Sequence, residues 1–526
     1  MKFNEMPYTR PDLEKLRRES EAVLQRIQNA SSAQEQVDAY LSFEESGKEL
    51  STNCSLAYVR HTIDTRDEFY DKEHDYINEI GPALQEMGQK ISLALLNSPF
   101  RAELEEKLGK LMFTNLEISV RCMKPEIMDL MQEESKLESQ YQKLYASALI
   151  EWEGEMLPMP KITPFKQSPD RAVRKAAYEA EGRWFDAHQA ELDEIYDKLV
   201  KNRTAQAKAM GYENYIPLGY DRMRRNCWGP KECAAFRDQI AQDLVPLVAR
   251  VKRDQAKRLG LDKLKFYDDL LLFPDGNANP QGTPDEILAA GLEMYRELSP
   301  ETKEFAEFLF GNELLDVLIH EAGHAFAAYR AMRSGCLSAL EQPTMEGCET
   351  HSMSMEFLTS PWHEKFFGPL TRKYEVGHCE DSLIFIPYGC MVDEFQHLMY
   401  ENPDLTPAQR NETWLKLEKK YRPWIDFEDL PFYGRGAGWQ RQLHIYLYPL
   451  YYIDYCMAQT MAFQFWMASM ENREDAWKRY LAFVDIAGTK TFEEAAQAVG
   501  MKLPYAPGCI KEIGEAISKW IDANPI

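Results

Sequence analysis

Apolar residues recur at three- and four-residue spacing through most of the chain, with charged residues between them. The pattern first appears over residues 11–29 and 33–50, then over 66–97, 101–111, 124–149, 169–210 and 230–259. That period turns one face of an α-helix inward. Thr9 or Asp12 is placed to cap the first of these helices. Mixed-charge runs such as LEKLRRESEAVLQRI read as solvated helix faces. Strand-like alternation is scarce. Residues 112–120 (MFTNLEISV) alternate loosely, and 161–165 form a short candidate after prolines. Proline and glycine gather at 154–169 and 274–284, which read as loops or hinges. The pattern therefore predicts a mostly α protein with little β structure. An N-terminal helical lobe is expected over 1–205, and the chemistry is expected in 206–526.

Composition narrows the classes of partner. Hydrophobic residues are 44% and charged residues 28% of 526, as in a soluble globular protein and unlike a disordered or fibrous one. Acidic residues outnumber basic ones, 85 to 61, for a formal net charge of −24. A field of that sign repels phosphate backbones and anionic membranes, so no nucleic-acid or membrane partner is expected. No apolar run reaches the roughly 18 residues of a membrane span, and the N-terminus carries no signal-peptide core. The ten cysteines are scattered without a Cys-x-x-Cys pair, which points to a reducing, cytoplasmic setting.

The sharpest chemical signal is LLDVLIHEAGHAFAAYR, residues 314–330, with the core His320-Glu321-Ala322-Gly323-His324. On a helix, positions i and i+4 share a face, so both imidazoles can reach one ion. Glu321 is placed to take a proton from a water beside that ion. With ten histidines in the chain, chance gives fewer than about 0.03 such motifs. A catalytic zinc site needs a third protein ligand. The segment 341–358 offers Glu341, Glu346, Glu349, His351 and Glu356, with Gly347 marking the start of a second helix at about Cys348. Glu349, Ser352 and Glu356 share one face of that helix. Glu349 is the best third ligand, and Glu356 is placed to hold a ligand histidine from behind. His351 points elsewhere and reads as structural.

Residues 432–459 carry a glycine-rich loop, FYGRGAGW, then His444, Tyr446, Tyr448, Tyr451, Tyr452 and Tyr455. If helical, His444, Tyr448, Tyr452 and Tyr455 fall on one face, though Pro449 disturbs the first turn. Taken alone, this is an aromatic core stripe. The glycines at 434, 436 and 438 suit either a mobile loop closing over substrate or a simple turn.

HEAGHAF (320–326) followed by ETHSMSMEF (349–357) resembles the oligoendopeptidase F branch of the thimet oligopeptidase-like zinc peptidases. The resemblance continues through YRELSPETKEF (295–305), GCMVDEFQHLMYENP (389–403) and GWQRQLHIYLYPLYYIDYCMAQ (438–459). It implies two helical lobes around a deep channel with a zincin-type active site. It also implies one Zn²⁺ per chain on His320, His324 and Glu349, with Glu321 as general base and Glu356 supporting a ligand. His444, Tyr452 and Tyr455 match the His and two Tyr, three residues apart, that the family places over the metal as donors to an oxyanion, with Tyr451 as the nearest rival. His397 also matches the family, and it reads as structural because nothing in its spacing ties it to the metal.

One departure stands out. The family carries, ahead of the motif helix, a Gly-rich strand-forming stretch of roughly three dozen residues. Here PETKEFAEFLFGNELLDV runs almost directly into LIHEAGHAF, and no strand is expected between 285 and 319. The leading expectation is a zinc metallo-endopeptidase acting on short oligopeptides. The alternative is an inactive peptide- or metal-binding relic lacking the strand that pairs with substrate.

Overall fold

The computed structural model describes residues 2–311 and 319–526, and these are mostly helical with almost no sheet. Three long helices, Leu13–Asn29, Ala33–Ile63 and Glu68–Leu96, pack on one another at the N-terminus. Each begins on a polar cap: Asp12 accepts from the Lys15 amide, Ser32 from Glu35, and Asp67 from Phe69 and Tyr70. These caps satisfy amides that a helix start leaves without partners. The apolar faces meet in a core of Val23, Ile27, Val37, Tyr40, Ile91 and Leu95, completed by Leu104, Leu108, Met112 and Phe113. Full burial of each such side chain contributes about 1.5–3 kcal/mol. Leu340, far along the chain, joins the same core.

Both strand expectations are corrected. Residues 112–120 lie inside the helix Lys110–Arg121. Met112, Phe113 and Ile118 are buried there, and so short an apolar run does not distinguish period 2 from period 3.6. Residues 161–165 form a 3₁₀ turn, Met159–Ile162, and one helical turn, Thr163–Lys166, whose prolines preset φ. The strands lie just before: Leu149–Trp152 pairs antiparallel with Glu155–Pro158. Glu153 (φ 52°) and Gly154 (φ 86°) make the left-handed two-residue turn that matches strand twist.

Downstream, the helices Pro284–Leu298 and Pro300–Gly311 occupy the segment expected to lack a strand; the rest of that stretch, 312–318, lies outside the described residues. The helix Ile453–Glu471 is buried on nearly every face and acts as a central pillar. Against it pack Met345–Leu358, Thr371–Glu401 and Arg473–Ile486, and the motif helix Ile319–Arg333 packs on Met345–Leu358. No helix among the described residues is long and apolar enough to cross a membrane.

Candidate active site

The motif helix and the helix Met345–Leu358 approach each other at a glycine. A Cβ on Gly323 would lie 2.7 Å from the Ser352 Cα and 3.0 Å from the His351 carbonyl oxygen. Only hydrogen fits there, so the two backbones close to contact distance. Ser352 is one turn from Glu349, so this crossing carries the Glu349 carboxylate to the two imidazoles. Glu349 Oε2 lies 3.5 Å from His320 Nε2 and 3.4 Å from His324 Nε2. One ligand atom from each of the three residues falls within 4.8 Å of the others. The second helix starts at Met345, slightly earlier than its expected start near Cys348.

Behind the cluster, Glu356 Oε1 is 2.7 Å from His320 Nδ1. Glu349 is held in turn: the Tyr451 hydroxyl donates to its Oε1 at 2.7 Å, and the Ser352 hydroxyl lies 3.4 Å from Oε2. Burial works against ionisation of Glu349, yet hydrogen bonds from His320, His324 and Tyr451 hold it down at about 2. Burial likewise works against a charge on His320, but the Glu349 and Glu356 carboxylates lift it to about 10. The cluster therefore favours positive charge where its three groups converge, and its donor set of two imidazoles and a carboxylate fits a divalent cation.

Glu321 is exposed beside this point. Burial raises the Tyr455 phenol, and the charges of Glu349, Asp454 and Glu321 add to that shift. The expected single helix through His444 and the tyrosines is broken. Leu443–Leu447 is a short helix, Leu450 turns back with φ 67°, and the pillar starts at Ile453. The break still gathers the aromatics: the His444 ring lies 4.8 Å from Tyr452 and 5.9 Å from Tyr451 and Tyr455. Tyr452 packs on His444, Phe385 and Tyr388, whereas Tyr451 holds the hydrogen bond to Glu349. The glycine-rich loop is tightly packed. A Cβ on Gly436 would lie 2.4 Å from the Asn411 carbonyl oxygen, and Ala437 and Trp439 are fully buried. Gly434 and Gly436 permit this close backbone approach.

The chain can be placed among known proteins on this geometry. Residues 3–123 match the Peptidase M3 N-terminal domain, and residues 164–270 match Peptidase family M3. No curated protein matches the chain. A solved structure of "PZ peptidase A with inhibitor 2" is 40% identical, covering 99% of each chain, with a TM-score of 0.94. An X-ray structure of an oligoendopeptidase F is 41% identical over 99% of each chain, with a TM-score of 0.93. The chain belongs to the oligoendopeptidase F branch of peptidase family M3. An oligoendopeptidase F from Bacillus anthracis str. Ames is 37% identical over 99% of this chain and 98% of its own, with a TM-score of 0.88.

Within this M3 peptidase, several residues of the site gave no sequence signal. Gln442 places its amide nitrogen 2.8 Å from His444 Nδ1, while its Oε1 accepts from the Tyr388 hydroxyl at 2.7 Å. The Tyr388 bond sets the amide so that Gln442 donates to Nδ1, which leaves the proton of neutral His444 on Nε2. Burial lowers the His444 pKa, favouring that neutral form. Gly323 did carry a signal, as a glycine inside a buried helix. His351 is buried against Phe483, consistent with its structural reading. His397 belongs to a second possible donor set, with Cys233 and Asp393. There the Arg237 guanidinium already lies 2.7 Å from Asp393 Oδ2 and 3.2 Å from His397 Nδ1, supplying the positive charge a cation would bring.

Proposed function

We propose that this M3 peptidase is a zinc metallo-endopeptidase of short oligopeptides. The convergence of His320, His324 and Glu349 within 4.8 Å, from two helices locked at Gly323, carries the reading. Zn²⁺ bound by these three residues would supply a Lewis acid for the scissile carbonyl and bring the pKa of water toward about 7. Glu321, exposed beside the cluster, takes the proton of the attacking water and passes it to the leaving amine. His444, with its proton on Nε2, donates to the oxyanion that forms at the carbonyl. Tyr452 and Tyr455 are the phenols placed to share that task, an effect of order 10²–10³ in rate per donor. Tyr451 keeps Glu349 oriented, and Glu356 does the same for His320. In the same reading, residues 1–205 form a helical lobe facing the catalytic region 206–526, and the channel between them restricts substrates to unfolded peptides. The ten free cysteines support a cytoplasmic setting.

The test is cleavage of an internally quenched peptide blocked at both ends, alongside the metal content of the purified protein. The expected result is about one zinc per chain and cleavage that a chelator abolishes and zinc restores. Blocked termini exclude an exopeptidase. A protein without zinc, or cleavage indifferent to the chelator, overturns the reading.

A further inference from the structure

Glu356 has two imidazole partners. Its Oε1 meets His320 Nδ1 at 2.7 Å, and its Oε2 meets Nε2 of His378 at 2.7 Å. His378 comes from a third element, the long helix Thr371–Glu401, and lies 22 positions further along the chain than Glu356. Its ring stacks parallel to Tyr374, 5.5 Å away at 10°, and packs on Phe357 at 4.6 Å. Those contacts fix the ring in one orientation, with Nε2 aimed at Glu356.

An ionised carboxylate only accepts hydrogen bonds. Two imidazole nitrogens on its two oxygens must therefore both carry hydrogens. Hydrogen on His320 Nδ1 leaves Nε2, the nitrogen facing Glu349 and the convergence point, as the one that would bind a cation. His378 occupies the other oxygen and so prevents the carboxylate from rotating away from His320. Without it, Glu356 Oε2 would be mostly buried with no donor from this side, and the carboxylate would be free to re-pair.

Resting on the zinc reading above, we propose that His378 is a positioning residue that fixes the orientation and tautomer of the ligand His320 through Glu356. The chain His378–Glu356–His320 links the long helix to the metal-binding helix across the intervening one.

The test compares the parent with His378→Leu, His378→Gln, Glu356→Gln and the double variant Glu356→Gln/His378→Leu. Zinc affinity is read by competition with a chromophoric chelator, and thermal unfolding of each metal-free protein is read in parallel. His378→Leu should weaken zinc binding about 10–100-fold. His378→Gln, which keeps an N–H donor, should recover most of that loss. In the Glu356→Gln background the leucine substitution should add less than about a threefold loss, because the two residues act in series. Parent-like zinc affinity in His378→Leu overturns the proposal, as does a full additional loss in the double variant. The same holds if His378→Gln is as weak as His378→Leu while both metal-free proteins unfold like the parent. A parent that binds no zinc overturns the zinc reading itself, and the proposal with it.

Discussion

At the scale of single residues, the site separates groups that hold a metal ligand from groups that face the reacting bond. Glu321 is the clearest of the second kind, because it is not one of the three converging ligands and stands exposed beside them. Glu321→Gln should keep a full complement of zinc and lose turnover by about 10²–10⁴. Metal analysis and steady-state cleavage on the same sample check this, and near-parental cleavage would remove the general-base role. The tyrosines divide in the same way. Tyr451→Phe deletes the 2.7 Å bond to Glu349, so zinc affinity should fall by about 10–100-fold. Tyr452→Phe leaves the ligands untouched and should lower kcat more than it changes KM. Unchanged turnover in Tyr452→Phe would return that ring to packing. The metal motif was legible in the sequence because i and i+4 on one helix are a local relation. The pairing of Tyr451 with Glu349, and of Gln442 with His444, was not. The first depends on the chain leaving the helix after Leu447 and turning at Leu450 with φ 67°, the second on Gln442 standing in extended backbone just ahead of that helix, and periodicity alone encodes neither.

At the scale of elements, the decisive contact is one helix crossing. Gly323 sits where any side chain would strike the backbone of the neighbouring helix, 2.7 Å from the Ser352 Cα. Backbone cannot rotate aside as a side chain can. Gly323→Ala should therefore push the helices Ile319–Arg333 and Met345–Leu358 apart and draw Glu349 away from the imidazoles. Overpacking of this kind costs about 1–3 kcal/mol of stability. The larger effect should be on the metal: at least a tenfold loss of zinc affinity in protein that remains folded, measured by zinc titration with circular dichroism on the same samples. Unchanged zinc affinity would mean that the crossing does not position Glu349. Element types were read well where the apolar period ran long, as in the N-terminal helices. They were misread at 112–120 and 161–165, where a handful of residues fits either period or prolines impose a turn. The hairpin at 149–158 was missed because its turn, Glu153-Gly154, lacks the usual Asn-Gly or Asp-Gly signature.

At the scale of the whole molecule, acid should test the core built around the site through histidines that are not ligands. His363 is 2% exposed, and neither ring nitrogen has a hydrogen-bond partner. Burial, with the charge of His378 adding to it, lowers its pKa to about 4 from an ordinary 6.5. The folded protein thus holds His363 neutral, while the unfolded chain takes up a proton below about 6.5. Stability from this residue is fully present above pH 6.5 and is lost as pH falls toward 4, at up to about 1.4 kcal/mol per pH unit. Other groups titrate in the same window with the opposite sign. Burial raises Glu138 to about 7, so acidification stabilises the fold through that carboxyl. His320, raised to about 10, is protonated in both states below 6.5 and contributes no slope there. The informative quantity is therefore a difference between two proteins. His363→Phe replaces the ring with one that suits the aromatic neighbours Phe367 and Tyr374 and cannot take a proton. Chemical unfolding of both metal-free proteins from pH 7 to pH 4 should show the parent losing stability relative to the variant. The gap should open by about 1.4 kcal/mol per pH unit below 6.5 and level off near 4. Parallel curves would mean that His363 finds a proton partner in the folded state. The core beneath the metal site would then tolerate charge at that position.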